Sequence, residues 1–435
     1  MFKVVANCWP LFLGLAIIML GNGLQGSLLG IRASIEDFDI LVTGLIMSGY
    51  YLGLVFGSLI VPKMVGAVGH IRSFGALASL ASTSILIHFV FIDPWVWWVM
   101  RLVTGFAYAG LYIVAESWLN DEAENETRGQ LLSFYMLIQL GGLAGGQLML
   151  NVANPGSYHL FVLISVMISL SLIPILVTVS KAPTFEERES VSILQLFKVS
   201  PLGIIGVIVA GICAGSLLGI GPIYASSLGL NVKQISLFML SLILGGVVLQ
   251  YPMGKLSDVI GRRQVIIAVT VFGSLICIFA STLTPKDVNL YFLIALIGGF
   301  TLTLYSLCIA YTNDYLSQGQ MIAASGGLVL ANGIGASIGA PITAFTMSFF
   351  GTTGFFQING IVLGSVGVFA LWRATQREAI SGDTVGDFTI IAPTPIGATL
   401  NPELELKEIE AANDIDIGDM EESLRNLAKD LNDKT

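Results

Sequence analysis

The sequence predicts an all-α polytopic membrane protein in which twelve transmembrane helices form two pseudo-symmetric six-helix halves. Of its 435 residues, 54% are hydrophobic and only 11% are charged, and the mean hydropathy is +0.83. Soluble globular proteins carry about 25% charged residues, so the composition excludes that class. Residues 234–254 and 264–285 contain no Asp, Glu, Lys or Arg. Either run can cross a hydrocarbon core of about 30 Å as a helix.

Charge-free runs and turn residues divide the chain into twelve predicted spans. Residues 129–180 and 315–372 each hold two spans, which separate at Asn154-Pro155-Gly156 and near Gly351–Gly354. The N-terminal run is charge-free from Val4 to Ile31, longer than the roughly 7–15 apolar residues of a signal peptide, and predicts a retained first helix. The predicted spans are residues 10–30, 40–61, 73–92, 95–118, 130–151, 158–179, 201–226, 234–252, 264–283, 290–311, 322–347 and 354–372.

Two motifs recur at a nearly constant separation, which indicates an internal duplication. Gly69-x-x-Arg72 precedes Gly261-Arg262-Arg263 by 192 residues, and Gly141-x-x-x-Gly145 precedes Gly335-x-x-x-Gly339 by 194 residues. Repeated six-helix units are typical of secondary transporters. The predicted domains are a first half (1–180), a cytoplasmic linker (181–200), a second half (201–373) and an acidic cytoplasmic tail (374–435).

The distribution of basic residues predicts how the chain is oriented in the membrane. With the N-terminus inside, eleven Lys and Arg residues near the span ends lie on the inner side and three on the outer side. This bias places both termini in the cytoplasm. The net charge of −9 belongs to the tail, because residues 374–435 hold 14 acidic and 5 basic residues. The tail is predicted to be a largely disordered extension, with amphipathic helices after Pro402 as the alternative.

The chain lacks the motifs of an enzyme. Its three histidines belong to no HExxH motif, and neither a P-loop nor a nucleophile elbow is present. The four cysteines lie in or beside apolar runs without a CxxC pair, so we expect small buried hydrophobes rather than disulfides or metal ligands. The sequence therefore predicts no catalytic residue, no metal site and no cofactor. The absence of an ATP-binding domain argues against a complete primary pump.

Arg101 and Glu116 are the charged residues best placed to act inside the membrane. Arg101 lies about two turns inside the fourth span, where a cation is costly unless it faces the bundle interior. It could meet an anionic group, or it could bond backbone carbonyls of the first helix. Glu116 lies near the inner end of the same span, where it could join a charge network with Arg128 or carry a proton. Asp314, near the inner end of the tenth span, is its expected counterpart.

Uncharged polar residues mark the candidate transport pathway. Asn22 and Gln25 share a face of the first helix, and amides avoid lipid. Each such residue could instead form a hydrogen bond between helices. The candidates for substrate binding or coupling are Asn22, Gln25, Arg101, Tyr108, Gln139, Gln147, Tyr224, Tyr305 and Asn332.

The stretch Gly254–Arg263 is predicted to be a tight basic loop at the inner surface. Its pattern, G-x-L-x-D-x-x-G-R-R, resembles the signature of the major facilitator superfamily in the loop between the second and third helices of each half. Arg101-x-x-x-Gly105 resembles a second superfamily motif, which is linked to coupling in proton-driven exporters. The resemblance covers residues 10–373 and implies the superfamily fold and a transport function.

Within this resemblance, the loop and nearby charges are expected to form a cytoplasmic gate. The first half departs from the pattern, because Gly66 lies where the second half has Asp258. The gate is therefore expected to be asymmetric and to hold the outward-open state mainly through the second half. Its expected members are Gly254, Asp258, Gly261, Arg262, Arg263, Glu116 and Arg128.

The second half resembles more narrowly the YcaD-type transporters of bacterial inner membranes, through Gly215–Tyr224 and Gln250–Arg263. This implies a monomeric secondary transporter in the inner membrane, driven by a proton or ion gradient and working by alternating access. Its expected partners are a small-molecule substrate and the lipid bilayer, with no nucleic acid. Efflux of amphipathic compounds and uptake of a small organic solute both fit. A membrane sensor or scaffold that binds a partner through the acidic tail is the alternative from another class.

Overall fold

A computed structural model describes residues 8–122, 128–177, 192–283, 289–316 and 318–376, together with the single residues Phe388, Ile391 and Thr394. These residues contain thirteen α-helices and no strand. The helices are α1 (Trp9–Ile35), α2 (Ile40–Val68), α3 (His70–Val90), α4 (Pro94–Glu122), α5 (Arg128–Met149), α6 (His159–Val177), α7 (Ile193–Val199), α8 (Pro201–Ser227), α9 (Val232–Ile260), α10 (Arg262–Thr282), α11 (Leu290–Asn313), α12 (Gln318–Phe350) and α13 (Gly354–Gln376).

Twelve of these helices coincide with the twelve predicted spans. Eleven apolar segments are long enough to cross a membrane, and the last of them, Ala324–Gln376, contains both α12 and α13. A single 3₁₀ turn, Gly351–Thr353, separates these two helices. The short helix α7 lies in the predicted linker and starts with a capping box, in which Ser192 and Gln195 each satisfy the other's backbone amide.

Glycines bring helix backbones into direct contact inside each half. A methyl group on Gly53 would collide with the carbonyl oxygen of Leu102, so α2 and α4 touch there. The equivalent contact 192 residues later joins α9 to α11, where a methyl group on Gly245 would collide with the carbonyl oxygen of Ala295. Such close approach is typical of helix packing in membranes, where burial of apolar surface does not drive association. The duplication predicted from the sequence is therefore also a repeat of packing contacts.

The glycine motif of the fifth span acts one residue later than predicted. Gly141 has open space around it, whereas Gly142 and Gly146 pack directly on α1. A methyl group on Gly146 would lie 2.5 Å from the carbonyl oxygen of Leu20. Gly142 and Gly146, rather than Gly141 and Gly145, are therefore the counterparts of the packing glycines Gly335 and Gly339 in the second half.

The predicted loop Gly254–Arg263 is almost entirely helical. Helix α9 continues to Ile260 and α10 begins at Arg262, so Gly261 alone connects them. Its φ of +99° favours glycine, and Gly69 has the same role between α2 and α3 with a φ of +87°. We call the end of the bundle that holds Gly69 and Gly261 the basic end, and the other end the opposite end.

The two halves pack against each other at the opposite end. Helix α1 meets α8 where a methyl group on Gly30 would lie 3.1 Å from Pro222 Cβ. Helix α5 meets α9 through Ser236, whose hydroxyl donates to the carbonyl oxygen of Gln147 at 2.6 Å and accepts from Asn151 at 3.0 Å. Helices α2 and α12 meet at Gly44, where a methyl group would lie 3.1 Å from the carbonyl oxygen of Ala340. These contacts close the space between the halves at this end.

The glycine contacts give a direct stability prediction. We expect Gly245→Ala to destabilise the protein by about 1–3 kcal/mol, because the added methyl group forces α9 away from α11. Gly141→Ala is the matched control, since that position is open and alanine favours a helix. Thermal unfolding of both purified variants checks this. Equal melting temperatures for the two variants would contradict the packing described above.

Candidate functional site

A central cavity of about 250 Å³ lies between the two halves. Its lining comes from α1, α2, α4 and α5 of the first half and from α8, α9, α11 and α12 of the second. Most of this lining is apolar, with a few polar groups that converge on the same space. Six of the nine candidate residues border it, namely Asn22, Arg101, Gln139, Gln147, Tyr305 and Asn332.

The other three candidates lie away from the cavity, inside the helix packing. Gln25 is fully buried, and neither of its amide atoms has a hydrogen-bond partner among the described residues. Tyr108 is also fully buried, with its ring 6.1 Å from that of Tyr50. Tyr224 stacks on Phe355 within the second half, with ring centroids 4.4 Å apart. We therefore assign none of the three a place in the cavity.

Arg101 projects from α4 to the edge of the cavity. Its guanidinium lies over the ring of Tyr50, with Cζ 4.6 Å from the ring centroid. The side chain is 5% exposed. Within the described part of the chain it forms neither a hydrogen bond nor an ion pair, and its Nε is buried without an acceptor. A cation–π contact offsets only part of the cost of burying a cation. The Arg101 guanidinium is thus a charged group that can still donate hydrogen bonds to an acceptor in the cavity.

A tyrosine network positions Asn22 beside Arg101. The Asn22 amide donates to the hydroxyl of Tyr112 at 3.1 Å and to that of Tyr50 at 3.3 Å. These bonds connect α1 to α2 and α4 at one point of the cavity wall. Tyr112 was not predicted, although it lies one helical turn after Tyr108 and on the same face of α4. The sequence indicates a tyrosine on this face but does not distinguish the two, and only Tyr112 borders the cavity.

Glu116 belongs to a buried chain of polar groups at the basic end of the cavity. Its carboxylate is fully buried and accepts from the hydroxyl of Tyr135 at 2.6 Å. That hydroxyl in turn accepts from the Gln139 amide at 2.6 Å. Gln139 faces the cavity, so the chain connects the carboxylate to the space between the halves. Tyr135 was not predicted from the sequence, although it lies one turn before Gln139 on α5.

Two other lining amides also hold helices together. The Gln147 amide donates to the carbonyl oxygen of Gly23 at 2.8 Å and accepts from Ser27, which joins α5 to α1. The Asn332 amide donates to the carbonyl oxygen of Val207 at 3.1 Å, which joins α12 to α8. Each of these amides therefore bonds a neighbouring helix and also borders the cavity.

The expected gate residues all lie at the basic end, but they form separate clusters. Arg262 forms an ion pair with Asp314 at 3.1 Å, and the two side chains are 1% and 8% exposed. In the first half, His70 stands 192 residues earlier and contacts the hydroxyl of Ser117 at 3.0 Å. Arg128 begins α5, and its Nε is buried without an acceptor among the described residues. The first half thus lacks both the acid and the arginine of the signature.

Asp258 contacts the tail of the protein. Its two carboxylate oxygens accept from the backbone amide of Phe388 at 3.1 and 3.2 Å. Ile391 and Thr394 are 3% and 4% exposed and border the central cavity. The tail is predicted from its composition to extend into the cytoplasm. Most of it lies outside the described residues, but these three residues are inside the bundle.

Sequence comparison places the chain among known transporters. The profile of the Major Facilitator Superfamily matches residues 11–246 and 203–400. A protein of Escherichia fergusonii, named an uncharacterized MFS-type transporter YcaD, is 28% identical over 339 residues, which cover 77% of this chain and 87% of the relative. The protein of the same name from Salmonella arizonae is 26% identical over 342 residues and covers 78% of this chain and 88% of the relative.

Solved structures of transporters share the arrangement of helices. The nucleoside transporter NupG has a TM-score of 0.69 at 12% identity, and the match covers 87% of this chain and 100% of NupG. A bacterial homolog of the human lysosomal transporter Spinster, inward-facing and occupied, has a TM-score of 0.69 at 12% identity, with 85% of this chain and 98% of that chain covered. This similarity confirms the predicted fold class.

The buried ion pair at the basic end gives a second stability prediction. We expect Asp314→Asn to destabilise the protein by about 3 kcal/mol, because the charge of Arg262 stays buried after its partner is neutralised. Glu36→Gln is the control, since Glu36 is 23% exposed and its buried partner Arg32 keeps a hydrogen bond to the carbonyl oxygen of Gly156. It is expected to cost less than about 1 kcal/mol. Thermal unfolding measures both. The reverse order of the two effects would contradict this assignment.

Proposed function

Because the chain belongs to the major facilitator superfamily, we propose that it moves a small amphipathic monoanion across the bacterial inner membrane by alternating access. The protein is a polytopic membrane transporter rather than an enzyme. The charge, the coupling and the mechanism are inferred from the site. One observation carries the proposal: a buried arginine that has no anionic partner among the described residues lies at the edge of an otherwise mostly apolar cavity.

The charge balance of the cavity favours an anionic substrate. Arg101 is the cation at its wall, and none of the described side chains that line it is acidic. A substrate carboxylate would supply the acceptor that the guanidinium lacks, and a bidentate pair is strong in a site with little water. A polycation would be repelled by Arg101. The apolar remainder of the wall suits a hydrophobic body, and the amides of Asn22 and Asn332 can accept or donate hydrogen bonds.

The packing between the halves supports alternating access. Contacts close the opposite end, whereas the central cavity lies between the halves on the side of the basic end. Rocking of two rigid halves around a site near the membrane midplane is the general mode of such repeats. With the basic end in the cytoplasm, as eleven Lys and Arg residues against three indicate, this conformation corresponds to the inward-facing half of the cycle.

Glu116 is the residue that we propose carries the coupling proton. Its carboxylate is fully buried in a transmembrane helix, a setting in which acidic residues commonly serve as proton relays. The chain through Tyr135 and Gln139 connects it to the cavity that holds Arg101. Binding of an anion and protonation of Glu116 would then both change the charge of the same interior space, which links the two events.

A ligand screen on purified protein tests the charge of the substrate. A compound that binds the native state raises the melting temperature. We expect hits among amphipathic carboxylates, and we expect Arg101→Gln to weaken a hit by about 10–100-fold, the equivalent of one lost charged hydrogen bond. Arg32→Gln is the matched control, because Arg32 is also buried but is already paired with Glu36.

Comparison of each carboxylate ligand with its neutral amide analogue separates the contribution of charge to binding from that of shape. If the neutral analogue stabilises the protein as strongly as the carboxylate, or if Arg101→Gln binds both equally well, the anion proposal is wrong. Uptake into vesicles with and without a proton gradient then reports coupling and direction. Glu116→Gln is expected to bind the ligand while losing its response to the gradient.

A further inference from the structure

Three of the described tail residues contact the basic end of the bundle. The first along the chain is Phe388, which we group with Ile391 and Thr394 as the plug residues. Its amide donates to both oxygens of Asp258. Its ring lies against the backbone of Gly254, where a methyl group would overlap the ring carbons. A glycine at this position of α9 therefore makes room for an aromatic ring from the tail.

The second plug residue is held by its backbone. Ser306 on α11 donates from its hydroxyl to the carbonyl oxygen of Ile391 at 3.0 Å and accepts from the Ile391 amide at 3.4 Å. The same hydroxyl accepts from the Gln250 amide at 3.0 Å. Both backbone groups of Ile391 are thus satisfied inside the bundle, as buried backbone groups require.

The third plug residue reaches the other half of the protein. A hydrogen bond joins the side chain of Thr394 to Tyr135 on α5, which is the tyrosine that bonds Glu116. The contacts therefore run from α9 and α11 of the second half to α5 of the first. A segment that touches both halves inside the cavity prevents them from closing at the basic end.

The composition of the tail around the plug residues fits an apolar cavity. Residues 388–402 contain no Asp, Glu, Lys or Arg, although residues 374–435 hold 14 acidic and 5 basic residues. Entry of this stretch does not require a charge to be desolvated. Helix α13 ends at Gln376, and only eleven residues lie between it and the first plug residue. A tether of this length gives a local concentration of about a millimolar or more, so even a weak contact is occupied.

We propose that the cavity mouth at the basic end is a binding site for the chain's own segment around Phe388–Thr394, which blocks entry of substrate until it leaves. The inference rests on the proposed transport function, because it assigns the regulation of the same cavity. The segment acts both as a plug in the pathway and as a wedge between the halves. Withdrawal of the segment, by a partner that binds the tail or by a change in conditions, opens the mouth.

The test measures access to the cavity with a reporter cysteine. Ala214 on α8 lines the cavity, and the four native cysteines are buried, so Ala214→Cys can be labelled with a polar maleimide in nanodiscs. We expect slow labelling in the full chain. Ending the chain after Gln376 is expected to accelerate labelling by about tenfold or more, because the tethered segment is lost. Addition of a peptide with the sequence of residues 384–397 should slow it again.

Three further chains separate the plug from the rest of the tail. A chain that ends after Leu400 keeps the plug residues but loses the acidic end, and it should label as slowly as the full chain. Phe388→Pro removes the backbone N–H that donates a hydrogen bond to Asp258, and it should accelerate labelling. Thr399→Pro, five residues beyond Thr394, is the control and should leave the labelling rate unchanged.

Unchanged labelling after removal of residues 377–435 would overturn the proposal that the segment plugs the cavity. So would an acceleration by the truncation after Leu400 that equals the acceleration by the truncation after Gln376. The labelling rate requires no substrate. An absence of transport in every chain would therefore refute the transport proposal alone, while the labelling rates still decide whether the tail occupies the mouth.

Discussion

Direct contact between helix backbones at glycines is the interaction on which the rest of this structure depends. Lipid offers apolar side chains the same environment as a neighbouring helix, so helices associate in a membrane through close packing and hydrogen bonds. Here that packing is strongest inside each half, as at Gly53 on α2 and Gly245 on α9. Each half can then move as a body. The surface between the halves is where polar residues collect, because they cannot face lipid.

The charges of this interface are distributed unequally between the halves. The second half keeps the acid and arginine of the signature in Asp258 and Arg262, whereas the first half has Gly66 and His70 at the same places. In the structure Arg262 forms an ion pair with Asp314, and Asp258 accepts a hydrogen bond from the tail residue Phe388. The acid of the signature therefore contacts a third element, the tail.

Composition and spacing predict the membrane spans well, because hydropathy reports directly on what lies in lipid. They place the ends of helices less well. Helix α9 continues to Ile260 because a charged turn at the membrane surface can stay helical, so a basic run does not by itself mark a loop.

The polar site is predictable in part for a related reason. Polar residues inside a span must face protein, and Asn22, Arg101 and Gln139 do line the cavity. Which polar residue lines the cavity cannot be read from the helix face alone, because Tyr108 and Tyr112 share a face of α4 and only Tyr112 borders the cavity. The position of Phe388 was not predictable, because it depends on a complementary space at Gly254 that forms only in the folded bundle.

Distances between spin labels at the two ends of the bundle test the central claim, that the halves meet at the opposite end and are held apart at the basic end. Val68 and Val259 mark the basic end, and Trp95 and Phe292 mark the opposite end; all four side chains are exposed. For the full chain without ligand, the account predicts one short distance for Trp95–Phe292 and one long distance for Val68–Val259. Removal of residues 377–435 should add a second population in which the basic end is closed and the opposite end is open. A full chain in which the basic end is already closed, or two ends that open together, would contradict it.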